Sequence, residues 1–284
     1  MSEDDSTLDE AFLRTWIGRE QVIEDTISAD LANRFAATFD LNEDFSFGDI
    51  VPPLLHVCLA QPIAPSRQIG ADGHPRRGDF LPPVPLPRRM WAAGSMRFTG
   101  DLHVGETVRR VSRIADLTIK EGRSGTLCFV AVDHQIEARG RAIVTERQDI
   151  VYRSAETGTA PPKAAQPAAE GAYRETFDPS PVVLFRYSAV TFNGHRIHYD
   201  KPYATDVEGY PGLVVHGPLQ ATLLMHFAAK IRGGRPAQFS FRSQSPLFGD
   251  GPIVLHAEEA GDTLKLWTAA EGGPVAMSAE AGWA

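Results

Sequence analysis

Cysteine is nearly absent: the 284 residues hold two, Cys58 and Cys128, each inside an apolar run. That excludes a disulfide framework. No second Cys or His stands at metal-binding spacing from either, so both read as buried, reduced thiols. Long hydrophobic runs are missing too. No stretch approaches the ~18 apolar residues of a membrane span. The opening Met1-Ser2-Glu3-Asp4-Asp5 has neither the apolar centre of a secretory signal nor the arginines of a transit peptide. A cytoplasmic, reducing compartment is therefore expected. There is no Gly-x-Ser-x-Gly, which argues against a nucleophilic serine on an elbow. Neither a Rossmann nor a P-loop glycine pattern occurs. Positive charge is also short, with a formal net charge of -8. That disfavours a nucleic-acid backbone as partner, while leaving room for a local basic pocket around an anionic ligand.

What is present suits a soluble globular chain, 43% hydrophobic and 23% charged. The length allows one large domain or two small ones. The segment from Ser154 to Gly171 is rich in Ala, Pro, Gly and Thr and has no periodicity. It reads as an exposed, mobile linker, 154–171, between halves 1–153 and 172–284.

In the first half, Ser28 is placed to cap a helix over 29–39. A Pro-rich stretch containing Leu81-Pro82-Pro83-Val84-Pro85-Leu86-Pro87 follows. Strand patterns then run over 95–98, 106–119, 125–137 and 142–153. In the second half, 182–192 reads as either strand or helix. Pro218 to Ala229 is the clearest helix in the chain. Strands are expected over 239–242, 253–258, 263–268 and 274–281. One helix followed by several antiparallel strands suggests α+β, with the sheet wrapped round the helix. A weak echo, Arg97 then Leu102-His103-Val104-Gly105-Glu106 against Arg242 then Leu247-Phe248-Gly249-Asp250, suggests a repeat.

Two runs carry the chemistry. Thr191-Phe192-Asn193-Gly194-His195-Arg196-Ile197-His198-Tyr199-Asp200 packs two His, an Asn, an Arg, a Tyr and an Asp into ten positions. A histidine near neutral pH can take a proton from water and return one to carbon. Asn193 can orient water but cannot act as a base. The bland alternative is a polar turn whose histidines bond to backbone groups. His195 and His198 are three apart, a spacing that suits one face of a helix. No carboxylate or thiol motif completes a metal site there, so no metal is expected. The second run, Gly209 to Pro218, ends where the apolar helix begins. Free N–H groups at a helix start favour negative charge, and Gly217 permits close approach. Such a place can hold a thioester oxygen as it becomes an enolate. It can equally be an ordinary Gly-Pro helix start.

TFNGHRIHYDKPYA, from Thr191, together with GLVVHGPLQATLL, resembles the hydratase motif of MaoC-like enzymes. The likeness is to the branch of that family with mesaconyl-C4-CoA hydratase, itaconyl-CoA hydratase and mitochondrial 3-hydroxyacyl-thioester dehydratase. VPPLLHVCLA and LPPVPLPRRMWAAGSMRF resemble segments of the same branch, so both halves are covered. The resemblance implies an α+β double hot-dog, two units in one chain, each a long helix wrapped by antiparallel sheet. It implies a first half that is a degenerate copy shaping the acyl and CoA pocket, and a catalytic second half.

The broader family's motif is Gly-Asp-x-Asn-Pro-x-His. Here Asn193 stands at the Asp position, His195 at the Asn position and Arg196 at the Pro position. His198 is retained, and Asp200 falls where an acid is often found. The implied activity is that of a hydro-lyase at the α,β double bond of an acyl-CoA. The implied substrate is a short branched dicarboxylic enoyl-CoA, with a general 3-hydroxyacyl-thioester dehydratase as the alternative. A thioesterase and a non-catalytic acyl-CoA-binding subunit are the rivals from other classes. The roles that follow give His198 as the base and Asn193 as the holder of water. His195 is either a second acid–base group or a loop anchor, and His216 is a turn anchor. Backbone N–H groups near Val215 and Gly217 meet the enolate. Arg88, Arg89 and Arg196 are candidates for a substrate carboxylate, with CoA phosphates or surface ion pairs as other uses. Coenzyme A enters as part of the substrate, no separate cofactor is expected, and a further homodimer is expected from the family.

Overall fold

The computed structural model describes residues 8–122, 125–154 and 166–283. After a short helix α1 (Glu10–Arg14), strand β1 (Glu20–Thr26) leads into helix α2 (Ala29–Thr38). Ser28 caps α2 as the sequence suggests, its Oγ accepting the Leu31 N–H at 3.1 Å. Four long strands follow: β2 (Arg88–Phe98), β3 (Thr107–Gly122), β4 (Gly125–Ala138) and β5 (Arg141–Arg153). The second half supplies β6 (Tyr173–Phe177), α3 (Pro181–Val190), α4 (Gly217–Arg232), β7 (Gln238–Ser243), β8 (Ile253–Ala260), β9 (Thr263–Ala270) and β10 (Val275–Gly282).

All ten strands join one antiparallel sheet in the order β1-β3-β4-β5-β2-β7-β10-β9-β8-β6. Each side of the β2–β7 seam is the mirror of the other. The seam pairs Ala93 with Arg242, Ser95 with Ser240 and Arg97 with Gln238, so Arg97 and Arg242 are equivalent about the Ser95–Ser240 pair. Val51 N donates to Leu102 O, just as Val215 N donates to Leu247 O. The faint repeat in the sequence is therefore a repeat in the fold. Gly94 has a tight reason at the seam: a Cβ there would lie 2.6 Å from the Phe241 ring.

The halves differ where the long helix should be. In the second half α4 runs sixteen residues and ends at Gly233, whose φ of 71° is the left-handed stop glycine allows. Its Leu219, Leu224 and Met225 are fully buried, each contributing roughly 1.5–3 kcal/mol by leaving water. In the first half the equivalent place holds only a 3-10 turn, Leu55–Cys58. This corrects the expectation of a long helix in each half. Pro52 and Pro53 precede that turn, Pro62 and Pro65 follow it, and Leu54 takes a positive φ of 66°. Leu54 breaks the backbone at the start, and Pro62 and Pro65 cannot continue a helix at the end, so the turn stays short. One apolar core spans both halves, from Phe35 and Leu55 to Leu224 and Phe241.

Residues 155–165 of the expected linker lie outside the described residues. The part that follows is pinned, with Ala168 N donating to Gly273 O at 2.8 Å. Among the described residues no helix is long and apolar enough to cross a membrane.

Candidate active site

Helix α3 ends at Thr191, and Phe192 turns the chain through a φ of 50°. Asn193 N bonds back to Ser188 O at 2.8 Å. The chain then tightens into a 3-10 turn over Arg196–His198. This turn aims His198 at the short extended segment 213–215. That segment is held on its other side by Val215 N to Leu247 O and Gly249 N to Leu213 O, both 2.8 Å.

His198 is buried, and its Nδ1 lies 2.7 Å from Val214 O. A carbonyl only accepts, so Nδ1 carries the hydrogen and Nε2 keeps a free lone pair. Its ring stacks on that of His216, centroids 3.6 Å apart and planes 18° apart. Ser188 Oγ holds His216 Nε2 at 2.8 Å. Burial pushes the His198 pKa well below the ordinary value, helped by the neighbouring imidazoles of His216 and His195. Burial likewise takes His216 down to about 3. The result is a neutral, oriented ring with an unprotonated nitrogen in a buried site.

The first half closes the site. The rings of His74 and His195 lie 4.2 Å apart, and those of His195 and His198 5.3 Å apart at nearly a right angle. Asp72 Oδ2 sits 3.0 Å from His74 Nδ1. Glu208 Oε1 approaches His195 Nε2 at 3.9 Å. Sequence reading missed Asp72, His74 and Glu208. The signal present was a turn, Asp72-Gly73-His74, in a stretch too irregular to place. No sequence motif marks a carboxylate beside these histidines, yet Asp72 arrives from the other half to lie near His195. Asp72, His74 and His195 offer donor atoms within 4.8 Å of one another, a set of the kind that binds a divalent cation. Asp72 and His74 are already hydrogen-bonded to each other within it.

The remaining candidates divide. Asn193 Oδ1 accepts the His195 N–H at 3.0 Å, so the side chain shapes the turn beneath His198. Val215 is corrected: its N–H is spent on Leu247 O, so it cannot meet an enolate. Gly217 opens α4, where its N–H has no partner within the helix. Arg196 is corrected as well. It grips Asp200 through Nε (3.0 Å) and Nη2 (2.8 Å), reaches Ala71 O through Nη1 (3.1 Å) and stacks over Tyr203. It is a brace between the halves. Arg88 is drawn to Glu208, donating to its carbonyl at 2.7 Å and facing its carboxylate at 3.9 Å. Arg89, half-buried, lies beside Tyr152 and close enough to His74 to help depress that ring's pKa. Among the described residues it has no carboxylate partner. Two shallow depressions on the outer face of the sheet, over Arg97 and Arg147 and over Arg242 and Lys265, do not reach His198.

The fold has solved counterparts. A MaoC-like dehydratase from Phytophthora capsici superposes with a TM-score of 0.70 at 18% identity, over 98% of this chain and 99% of that one. A Mycobacterium tuberculosis protein described as having a double hot-dog fold superposes with a TM-score of 0.59 at 12% identity, over 93% and 95%. The mirrored sheet and the histidine cluster at the meeting of its halves thus define a double hot-dog protein. The family model for hydroxyacyl-thioester dehydratase type 2 matches residues 54–249. The mesaconyl-C(4)-CoA hydratase of Chloroflexus aurantiacus is 46% identical over 268 residues, 93% of this chain and 95% of its own. The chain belongs to the hydroxyacyl-thioester dehydratase type 2 family and is a hydro-lyase.

Proposed function

We propose that this protein adds water across the α,β double bond of a short dicarboxylic enoyl-CoA of the mesaconyl type, with His198 as the single proton carrier. The observation that carries this is the free Nε2 of His198, fixed by the Nδ1 bond to Val214. The chemistry balances through that one nitrogen. Nε2 takes a proton from water as the water oxygen bonds to Cβ. The electron pair of the double bond moves to the thioester oxygen as an enolate. The imidazolium then returns its proton to Cα and the carbonyl re-forms. Removal of water runs the same steps backwards. Addition of water is redox-neutral, so it needs no electron carrier, and coenzyme A serves as the handle of the substrate.

The start of α4 beside His216 is the candidate for the enolate, because the Gly217 N–H and the helix dipole both favour negative charge. Arg89 is the candidate for the distal carboxylate of the substrate, since Arg88 and Arg196 are held by Glu208 and Asp200. The second reading, a general 3-hydroxyacyl-thioester dehydratase, is favoured by the family match.

Turnover of the purified protein with mesaconyl-C4-CoA, itaconyl-CoA and crotonyl-CoA, followed by product mass, separates these. Hydration confined to the dicarboxylic substrates supports the proposal. A hydrated crotonyl product moves the assignment to the general dehydratase. Release of free coenzyme A, or binding without turnover, overturns both.

A further inference from the structure

His216 stands at the start of α4 with its ring flat against that of His198, centroids 3.6 Å apart. One residue of α3, Ser188, holds both the turn that leads to His198 and the ring of His216. Its carbonyl accepts the Asn193 N–H at 2.8 Å, and its Oγ lies 2.8 Å from His216 Nε2. The other ring nitrogen of His216, Nδ1, is buried and has no hydrogen-bond partner among the described residues. It makes no capping bond to α4 either. A buried polar atom left unpaired costs stability, so each one calls for a reason.

Counting donors and acceptors places the ring hydrogen. If Ser188 donates to Nε2, the hydrogen sits on Nδ1, and that N–H is the one group left unmet. If Nε2–H donates to Ser188 instead, the serine hydrogen has no acceptor among the described residues, and the Nδ1 lone pair is unmet as well. The first arrangement leaves fewer groups unpaired. The ring is fully buried and uncharged. We propose that His216 is a catalytic residue, its Nδ1–H donating a hydrogen bond to the thioester oxygen as that oxygen becomes an enolate. Ser188 is the positioning residue that fixes the hydrogen on Nδ1. The role rests on the hydratase reading and adds a side-chain donor to the Gly217 N–H.

The surroundings suit it. His216 precedes Gly217 in the chain, so covalent geometry sets the two N–H groups side by side at the helix start. A Cβ on Gly217 would come no closer than 3.8 Å to the rest of the fold, at Ser243 Oγ, so there is room beside that start. An enoyl thioester is flat, with Cβ and the carbonyl oxygen at the two ends of one conjugated system. A base on His198 and a donor on the parallel ring of His216 serve those two ends together. The hydrogen on Nδ1 is shared with the oxygen and stays on the ring. The proton from water still reaches Cα through His198 alone, so atoms and charge balance. A neutral donor fits the place, because a charged one would oppose the imidazolium forming on the ring stacked against it.

His216→Phe keeps a flat ring against His198 and removes the donor. The expected result is a kcat lower by roughly 10²–10³-fold, as for the loss of one oxyanion donor, with KM within about threefold. His216→Asn returns an N–H and should recover part of kcat. Ser188→Ala releases the tautomer and should lower kcat by a smaller factor. It carries the test where His216→Phe fails to fold.

Two readouts need no turnover. Ring-nitrogen NMR of the free protein should show His216 with hydrogen on Nδ1 and none on Nε2, and Ser188→Ala should mix the two forms. Infrared spectra of mesaconyl-C4-CoA, isotope-labelled at the thioester carbonyl, can be taken in a His198→Gln background that preserves the double bond. The bound carbonyl stretch should lie lower there than when His216→Phe is added. Hydrogen on Nε2, an unchanged kcat in His216→Phe or Ser188→Ala, or the same stretch in both proteins overturns the proposal. A stretch that moves with His216 while the parent adds no water sinks the hydratase reading and keeps the donor. Failure of the thioester to bind overturns both.

Discussion

His198 combines three properties that a single side chain rarely has together: burial, one assigned ring hydrogen and a flat neighbour that fixes its plane. Each comes from a different part of the chain. Val214 takes the Nδ1 hydrogen, His216 supplies the stacking face, and the 3-10 turn at 196–198 sets the direction. His198→Gln keeps a polar side chain of similar reach but no base. It should lower kcat by roughly 10²–10⁴-fold, the usual contribution of a positioned acid–base group, and leave substrate binding largely intact. Steady-state kinetics beside a binding titration checks this; a kcat near that of the parent would remove His198 from the chemistry. The sequence singles out this residue as the candidate base but misjudges two companions. Val215 lies in the right run, yet whether a backbone N–H is free depends on residue 247, across the fold. Arg196 lies in the right turn, yet its charge is closed by an acid four residues on.

At the scale of elements, the decisive contact is between two loops. The 70–74 loop and the 193–196 turn meet through Gly73 and Gly194, with Gly73 at a φ of 91°. Gly73→Ala adds a methyl group into the Gly194 carbonyl and strains the backbone, a cost on the order of 1–3 kcal/mol. Gly209→Ala carries a similar backbone strain, at φ 73°, into open space. The first variant should lose several degrees in thermal midpoint and most of its activity. The second should lose only stability. Equal activity in both would show that the loop contact does not shape the site.

Little of this contact is legible in the sequence. Asp-Gly and Gly-Pro pairs mark turns but not what the turns touch. The long strands, by contrast, announce themselves through β-branched alternation, and α2 and α4 through their spacing and caps. Strands β1 and β6 escape notice because they are short and lie at the two edges of the sheet, where charged residues are common.

Across the whole molecule, buried histidines set the response to acid. His74 is taken to about 3 and His226 to about 4, each mainly by burial, and His216 also to about 3. All lie below the ordinary 6.5, so between those values the unfolded chain binds protons that the folded chain refuses. Their contribution to stability is full above pH 6.5 and is lost as pH falls toward 3–4. The thermal midpoint should therefore be level from pH 8 to about 7 and drop steeply below 6.5. A midpoint that holds down to pH 4.5 would mean that these rings can be protonated without opening the fold. These groups lie in both halves, and the shared core across the β2–β7 seam should make the loss a single transition.

The sequence by itself determined most of the strand pattern, the α4 helix and the family. Those features depend on residues close together in the chain, where periodicity, caps and spacing act directly. Only the tertiary structure decided that Asp72 and His74 join the site, that the Val215 N–H is spent on Leu247 O, and that Arg88 and Arg196 are spoken for. It also decided that the first half forgoes its long helix while keeping its place in the sheet. The reason is physical: a hydrogen bond, an ion pair or a stacked ring is a contact at a few ångströms, and those between His74 and His195 or Arg88 and Glu208 join residues more than a hundred positions apart that meet only when the two halves close.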